Sequence, residues 1–272
     1  MGSGALLGAL SVLKFAANLN TLFQDVPFLD RFAAASGAGF RGVEILRPYA
    51  HPKEAIGERL RAARLTCALV NSPAGNWTQG DRGMACQQGR EAEFRASIET
   101  ALEYCDALQC PSLHVMAGLA GPNADRAVYL NNVRWAVERA AATGIAVLVE
   151  AINPRDMPGY FLNTQAGSEA VCKEAGCKMQ IDCFHMQIVE GDLTMRLRKY
   201  VSRCGHIQIA GVPDRHEPDT GEVNYAHVFQ VLEELGYAGW IGCEYHPKAA
   251  TVEGLGWVER LTGHKLSELS TI

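Results

Sequence analysis

The amino-acid sequence predicts a single (β/α)8 barrel of the TIM type, in the α/β class. Eight short apolar segments alternate with eight segments of helical periodicity over 272 residues, a usual length for one such barrel. The apolar segments are almost continuously hydrophobic, which is typical of strands buried on both faces. An open doubly wound sheet is the alternative, but the first predicted strand leads into Asn18-Leu19-Asn20-Thr21 and not into a glycine-rich phosphate loop.

The individual elements follow from these patterns in chain order. Strands are predicted at Leu13–Ala17, Gly42–Leu46, Thr66–Asn71, Ser112–Ala117, Ile145–Glu150, Lys178–Asp182, His206–Ala210 and Trp240–Glu244. Helices are predicted at Val26–Ala38, Pro52–Ala63, Arg90–Leu108, Asp125–Ala142, Thr164–Ala175, Leu193–Val201, Tyr225–Leu235 and Thr251–Leu261. The barrel domain is expected to span residues 13–272, and the apolar residues 1–12, which lack a basic segment, are expected to lie outside it as a leader or cloning remnant.

Composition limits the classes of function. A net charge of −5 without basic runs argues against nucleic acid and against a membrane surface as partners. No apolar run approaches the length of a membrane-spanning helix. The nine cysteines are scattered without a C-x-x-C pair, so we expect core thiols in a cytoplasmic protein and not a disulfide scaffold or a cysteine–zinc site. The sequence leaves open whether the protein forms a homo-oligomer.

The last four predicted strands each end in, or carry near their end, a residue that offers an oxygen ligand: Glu150, Asp182, Gln208 and Glu244. Because barrel active sites lie at the C-terminal ends of the strands, these side chains are expected at one rim. Three ionised carboxylates beside an apolar core repel one another unless a cation compensates them. The set therefore predicts one divalent metal ion, Mg²⁺ or Mn²⁺, although a single acid at a strand end is also typical of a helix cap or an ion pair.

Two residues after the sixth and seventh strands are candidates for substrate binding. His185 follows Asp182 by three residues and is expected near the metal, either against a substrate oxygen or as a structural histidine. Arg215 lies in a proline-flanked loop, and its planar fork matches a substrate carboxylate. The alternative for Arg215 is a surface salt bridge with Asp214 or Glu217.

The long irregular segment Ser72–Gln88 is predicted to be a lid, because such loops on compact barrels usually carry function. Trp77 and Arg82 within it are candidates to cover the substrate, and Trp77 alternatively anchors the loop. Two polar residues lie inside predicted strands: Glu44, to which no role is assigned, and His114, for which a core role is favoured.

Several motifs together extend over nearly the whole chain from Lys14 to Trp257. Among them are Asn71-Ser72-Pro73-Ala74-Gly75-Asn76-Trp77, Val149-Glu150-Ala151-Ile152-Asn153, Asp182-Cys183-Phe184-His185-Met186-Gln187, Arg215-His216-Glu217-Pro218-Asp219-Thr220-Gly221-Glu222 and Gly239-Trp240-Ile241-Gly242-Cys243-Glu244-Tyr245. With these motifs the chain resembles the hydroxypyruvate isomerase family, within the xylose isomerase-like barrels that include the ketose 3-epimerases. The resemblance implies that Glu150 and Glu244 are metal ligands and also the acid/base pair, and that Asp182 and Gln208 complete the metal site.

The resemblance also implies a reaction and a small hydroxy-keto acid substrate. Hydroxypyruvate would be converted to 2-hydroxy-3-oxopropanoate (tartronate semialdehyde) through a cis-enediolate, with Arg215 at the carboxylate. The related 2-oxo-tetronate isomerases look nearly as similar, so a four-carbon sugar acid is the alternative substrate. The segment His246-Pro247-Lys248 departs from the lysine–proline order that the family often has. A ketose epimerase, a metal-dependent endonuclease and a non-catalytic barrel are the more distant alternatives.

Overall fold

The computed structural model describes residues 13–269, which form a closed barrel of eight parallel strands in chain order. The strands are β1 Lys14–Asn18, β2 Gly42–Ile45, β3 Thr66–Asn71, β4 Ser112–His114, β5 Ala146–Glu150, β6 Lys178–Asp182, β7 Cys204–Ile209 and β8 Trp240–Cys243. The predicted (β/α)8 fold is confirmed. Residues 1–12 and 270–272 lie outside the described part of the chain, so the expected leader and the exact domain limits stay predictions.

The helices cover the outside of the barrel. They are α1 Arg31–Gly37, α2 Lys53–Ala63, α3 Glu91–Ala107, α4 Arg126–Ala140, α5 Gln165–Ala175, α6 Cys183–Val189, α7 Leu193–Tyr200, α8 Tyr225–Glu234, α9 Thr251–Gly254, α10 Trp257–Thr262 and α11 Leu266–Leu269. One predicted helix, Thr251–Leu261, is in fact two, since the chain is not helical at Leu255-Gly256. No helix in the described range 13–269 is both long enough and apolar enough to cross a membrane.

Two differences from the predicted elements have local causes. Helix α6 begins directly after β6, because the Asp182 side chain accepts a 2.8 Å hydrogen bond from the Phe184 backbone N–H and so caps the helix. Strand β4 ends at His114 and not at Ala117. There Ala117 forms an antiparallel bridge with Gly83 of the Ser72–Gln88 segment. The chain after β4 therefore supports that segment and does not extend the barrel.

The barrel interior is polar near its centre. Glu44 of β2 is fully buried and accepts hydrogen bonds from Asn18 Nδ2 at 2.9 Å and from Gln208 Nε2 at 3.0 Å. Its other oxygen is paired with His206 Nε2. A buried carboxylate is tolerated only when such partners compensate it. Glu44, to which the sequence assigned no role, thus joins β1, β2 and β7 inside the barrel.

Gly242 of β8 lies against this carboxylate, and a Cβ at that position would overlap the Glu44 carboxylate. We therefore expect Gly242→Ala to lower the free energy of unfolding by at least about 2 kcal/mol, since overpacking here also displaces a compensated charge. Gly37→Ala in helix α1 is the matched control, because a Cβ there meets no atom within 4 Å. Urea denaturation of both variants measures the difference, and equal stabilities would contradict the close contact.

Candidate active site

The carboxyl ends of β5 to β8 bring four predicted side chains to one rim. Glu150 and Asp182 are the last residues of β5 and β6, Gln208 lies in β7 beside Asp182, and Glu244 follows β8. All four strands are parallel neighbours in the barrel, so their ends share one face. Glu150, Asp182 and Gln208 are buried, and the Glu244 side chain is 13% exposed.

His185 joins two of these carboxylates. One potential ligand atom each from Glu150, Asp182 and His185 lies within 4.8 Å of the others, and all three residues are buried. His185 Nε2 is 3.5 Å from Asp182 Oδ2 and 4.0 Å from Glu150 Oε1. Because Asp182 caps helix α6, His185 lies one helical turn further on the same side. The sequence placed His185 near the metal but did not count it among the ligand-capable residues.

Arg215 supplies positive charge to this rim. Its Nη2 lies 3.3 Å from Asp182 Oδ2 and 3.3 Å from Glu244 Oε1, and its Nη1 lies 3.3 Å from Asp156 Oδ2. The alternative of a surface salt bridge with Asp214 or Glu217 is wrong, because the side chain is turned into the barrel mouth. The guanidinium therefore offsets part of the repulsion among the carboxylates.

Gln208 is held in a defined orientation by its neighbours. Its Nε2 donates to Glu44 Oε2 at 3.0 Å, and its Oε1 accepts from Gln180 Nε2 at 2.6 Å. A carbonyl oxygen has a second lone pair, so Gln208 Oε1 retains acceptor capacity for a cation. Its role as a metal ligand stays a prediction.

Burial dominates the electrostatics of the rim. It raises the pKa of Asp182 to about 6 and the pKa of Glu244 to about 8. Burial, together with the charges of Glu244 and Asp182, raises the pKa of Glu150 well above its usual value. Burial and then the Arg215 charge lower the pKa of His185, so its imidazole is neutral near pH 7.

This donor set fits a divalent cation. Glu150 Oε1 is a buried acceptor without a hydrogen-bond partner in the structure. Buried carboxylates and a neutral imidazole are suitable ligands for a divalent cation such as Mn²⁺ or Mg²⁺, because the cation favours the ionised carboxylates and binds the imidazole in its neutral form. The identity of the metal stays a prediction.

A cavity of about 530 Å³ opens above the rim, and three of the four predicted substrate-binding residues line it: His185, Arg215 and Trp77. Trp77 is 36% exposed and belongs to a short 3-10 helix, Trp77–Gln79, in the Ser72–Gln88 segment. Arg82 is not among the lining residues. Its guanidinium carbon stacks 3.9 Å from the centre of the Trp77 ring, so Arg82 supports Trp77 and does not itself face the cavity.

Two further lining residues, Asn71 and Gln180, were not singled out in the sequence. Asn71 ends β3 and Gln180 lies in β6, and one side-chain oxygen of each, Asn71 Oδ1 and Gln180 Oε1, has no hydrogen-bond donor. His114, for which a core role was favoured, is buried but also lines the cavity, with Nε2 3.8 Å from Glu150 Oε2. Both residues offered a usable signal: Asn71 lies at a strand end, and Gln180 lies two residues before Asp182 in the same strand, so the two side chains share one face.

The fold and the rim together define an enzyme of the barrel type, with its site at the C-terminal ends of the strands. A family model described as xylose isomerase-like TIM barrel matches residues 32–261. The 2-oxo-tetronate isomerase of Cupriavidus necator is 53% identical over 257 residues, which is 92% of this chain and 99% of that protein. The hydroxypyruvate isomerase of Escherichia coli is 40% identical over 91% of this chain and 99% of that protein.

Among solved structures, one titled AP endonuclease, family 2, from Brucella melitensis is similar, with a TM-score of 0.89 and 46% identity. The structural match covers 91% of this chain and 98% of the Brucella melitensis chain. The protein belongs to the xylose isomerase-like TIM-barrel family and, within it, to the group of the hydroxypyruvate and 2-oxo-tetronate isomerases. It is an enzyme of the isomerase class.

We expect Mn²⁺ to bind more tightly as the pH rises from 6 to 8. A carboxyl group with a raised pKa retains its proton in this range, and cation binding needs the carboxylate, so each ion displaces protons. Calorimetry in two buffers of different ionisation enthalpy measures both the affinity and the protons released. Glu244→Gln removes the group with the pKa of about 8 and should flatten the dependence between pH 7 and 8. Equal wild-type affinity at pH 6 and pH 8 would count against the site.

Proposed function

We propose that this protein is a metal-dependent isomerase that moves a proton between adjacent carbons of a small hydroxy-keto acid. The observation that carries the proposal is the pair Glu150 and Glu244, a buried and a partly buried carboxyl group with raised pKa values on the wall of one cavity. Carboxyl groups held at the wall of one substrate-sized cavity are what general acid–base catalysis at carbon requires. The cytoplasmic location expected from the cysteines belongs to this proposal.

A divalent cation held by Glu150, Asp182, Gln208 and Glu244 would supply Lewis-acid stabilisation to the carbonyl and hydroxyl oxygens of the substrate. One glutamate takes the proton from the hydroxyl-bearing carbon, which leaves an enediolate. The other glutamate delivers a proton to the former carbonyl carbon, while the hydroxyl proton passes from one oxygen to the other. The composition of the substrate is thus unchanged. No order is assigned between the two glutamates.

His185 and Arg215 orient these groups. His185 is neutral and faces both Glu150 and Asp182, so it is suited to a hydrogen bond with a substrate oxygen. Arg215 keeps Glu244 and Asp182 in place through two contacts of 3.3 Å. The lid residue Trp77 shields the intermediate from water at the mouth of the cavity.

A four-carbon acid is our preferred substrate, as in a 2-oxo-tetronate isomerase. Asn71 Oδ1 and Gln180 Oε1 are acceptors without donors at the cavity wall, and an acceptor of this kind favours a ligand hydroxyl. A 2-oxo-tetronate has one hydroxyl-bearing carbon more than hydroxypyruvate, and therefore one hydroxyl more that does not take part in the proton transfer. The 53% identity to a 2-oxo-tetronate isomerase supports the same choice.

Hydroxypyruvate is the second candidate. The chemistry is identical with one carbon fewer, and the 40% identity to a hydroxypyruvate isomerase supports it. A nuclease function is less well supported. Three acidic side chains, Glu150, Asp156 and Glu244, line the cavity beside Arg215, and their charge repels a phosphate backbone.

We expect Glu150→Gln and Glu244→Gln each to lower kcat at least ~10²-fold at saturating Mn²⁺, because each removes a titratable group and keeps an oxygen. In deuterated water, one variant should still exchange the substrate proton without forming product, and the other should not exchange it. Mass spectrometry of recovered substrate measures the exchange. Glu174→Gln, at a surface pair with Arg126, is the control and should retain its rate. Near-wild-type rates in both site variants would exclude this acid/base pair.

We expect the wild-type enzyme to show a higher kcat/KM for a 2-oxo-tetronate than for hydroxypyruvate. Asn71→Ala should lower the value for the four-carbon acid about tenfold, since one hydrogen bond to a hydroxyl is lost. The value for hydroxypyruvate should change much less, which makes it the internal control. A coupled assay with both acids measures the ratio. If hydroxypyruvate is preferred and Asn71→Ala affects both acids equally, the three-carbon substrate is the correct one.

A further inference from the structure

An acidic substrate meets a charge problem in this cavity. Glu150, Asp182, Glu244 and Asp156 contribute carboxyl groups to the cavity or its floor, while Arg215 is already within 3.3 Å of three of them. A substrate carboxylate placed at Arg215 would therefore compete with these three carboxyl groups for the guanidinium. Like charges at such distances are unfavourable in a partly buried site. The carboxylate needs a cation that lies away from the acidic rim.

Arg47 satisfies this requirement. It follows β2 and lines the same cavity. Strands β2 and β6 are four positions apart in the ring of eight, so Arg47 lies across the barrel mouth from Asp182. Throughout the described residues 13–269, Arg47 has no acidic partner and no side-chain hydrogen bond. The Arg47 guanidinium makes a cation–π contact with Trp77, whose ring centre lies 5.1 Å from the guanidinium carbon.

The backbone around Arg47 is held firmly, although its side chain is unpaired. Asn20 Oδ1 accepts a 2.7 Å hydrogen bond from the Leu46 backbone N–H, and the Asn20 backbone N–H donates to Asn18 Oδ1 at 3.0 Å. Pro48 follows Arg47 and starts the short helix Pro48–Ala50. Arg47 is exposed, its backbone is held in place and its guanidinium stacks on an aromatic ring. The side chain is therefore preorganised for bidentate binding of an anion.

The other basic side chains of the cavity wall do not compete for this role. His185 and His114 are buried and face the Glu150 carboxylate, with Nε2 4.0 Å and 3.8 Å from its oxygens. His246 lies beside Arg215, whose backbone oxygen accepts a 2.7 Å hydrogen bond from the His246 backbone N–H. Arg47 is thus the lining cation, among the residues that the structure describes, whose charge is not already compensated.

We propose that Arg47, supported by the Trp77 ring, binds the carboxylate of the substrate at the mouth of the cavity. This rests on the proposed isomerase function and names the group that makes the site selective for sugar acids over neutral sugars. The substrate then lies with its reacting carbons at Glu150 and Glu244 and its carboxylate towards β2. Arg215, to which the sequence assigned the carboxylate, instead keeps Asp182 and Glu244 in position.

The test compares Arg47→Met with Arg82→Met. Both variants remove a guanidinium from the Trp77 ring, but Arg82 does not line the cavity. The first readout is the ratio of kcat/KM for a 2-oxo-tetronate to that for erythrulose, the neutral ketose with a hydroxymethyl group in place of the carboxylate. Arg47→Met should lower this ratio about 10- to 100-fold, since a charge-assisted pair is lost. Arg82→Met should change the rates on both sugars in parallel and leave the ratio as in the wild type.

The second readout is independent of turnover. Calorimetry measures the binding of erythronate, a four-carbon acid without a carbonyl group, to the Mn²⁺-loaded protein. Arg47→Met should weaken binding at least tenfold more than Arg82→Met does. If erythronate binding depends on Arg47 but no acid is isomerised, the proposed function fails while the role of Arg47 stands. An unchanged selectivity ratio and unchanged erythronate affinity in Arg47→Met, or equal losses in both variants, overturn the role of Arg47.

Discussion

The buried negative charge of the barrel is the constraint on which the rest of the structure depends. Glu44, Glu150, Asp182 and Glu244 lie in or above the interior of one barrel, where an unpaired carboxylate is strongly destabilising. The protein compensates this charge at two levels. Inside the barrel, Asn18, His206 and Gln208 surround Glu44. At the rim, Arg215 bridges Asp182 and Glu244.

The two levels are physically connected through Gln208. Its amide nitrogen donates to Glu44 inside the barrel, so its oxygen is turned towards Gln180 and the rim. The hydrogen bonds around Glu44 inside the barrel thereby set the orientation of the Gln208 side chain at the rim. The partners of ligand side chains have the same effect in metal sites. Gly242 leaves the space in which the Glu44 carboxylate lies. The polar interior therefore requires glycine at position 242 of β8, because any side chain there would occupy the space of the Glu44 carboxylate.

The cavity above the rim is chemically uneven. Its floor is acidic, its β3 and β6 walls present the unpaired acceptors Asn71 Oδ1 and Gln180 Oε1, and its mouth carries Arg47 beside Trp77. The carboxyl groups proposed for proton transfer, the acceptors proposed for hydroxyl groups and the cation proposed for a carboxylate are thus separated in space. A hydroxy-keto acid has the same three kinds of group along one short chain, and this correspondence favours such a substrate over a neutral sugar.

The sequence by itself determined the barrel and its acidic rim. Continuous apolar strands alternating with helices predict the fold, and parallel strands in a barrel must bring their C-terminal ends to one face, so Glu150, Asp182 and Glu244 could be assigned to one site. Tertiary structure decided the rest. The capping of α6 by Asp182 aimed His185 at the carboxylates, and the closure of the barrel set Glu44 against His206, 162 positions along the chain. Arg82 turned behind Trp77 while Arg47 faced the cavity. These choices depend on side-chain directions and on contacts between distant strands, which periodicity along a single chain does not contain.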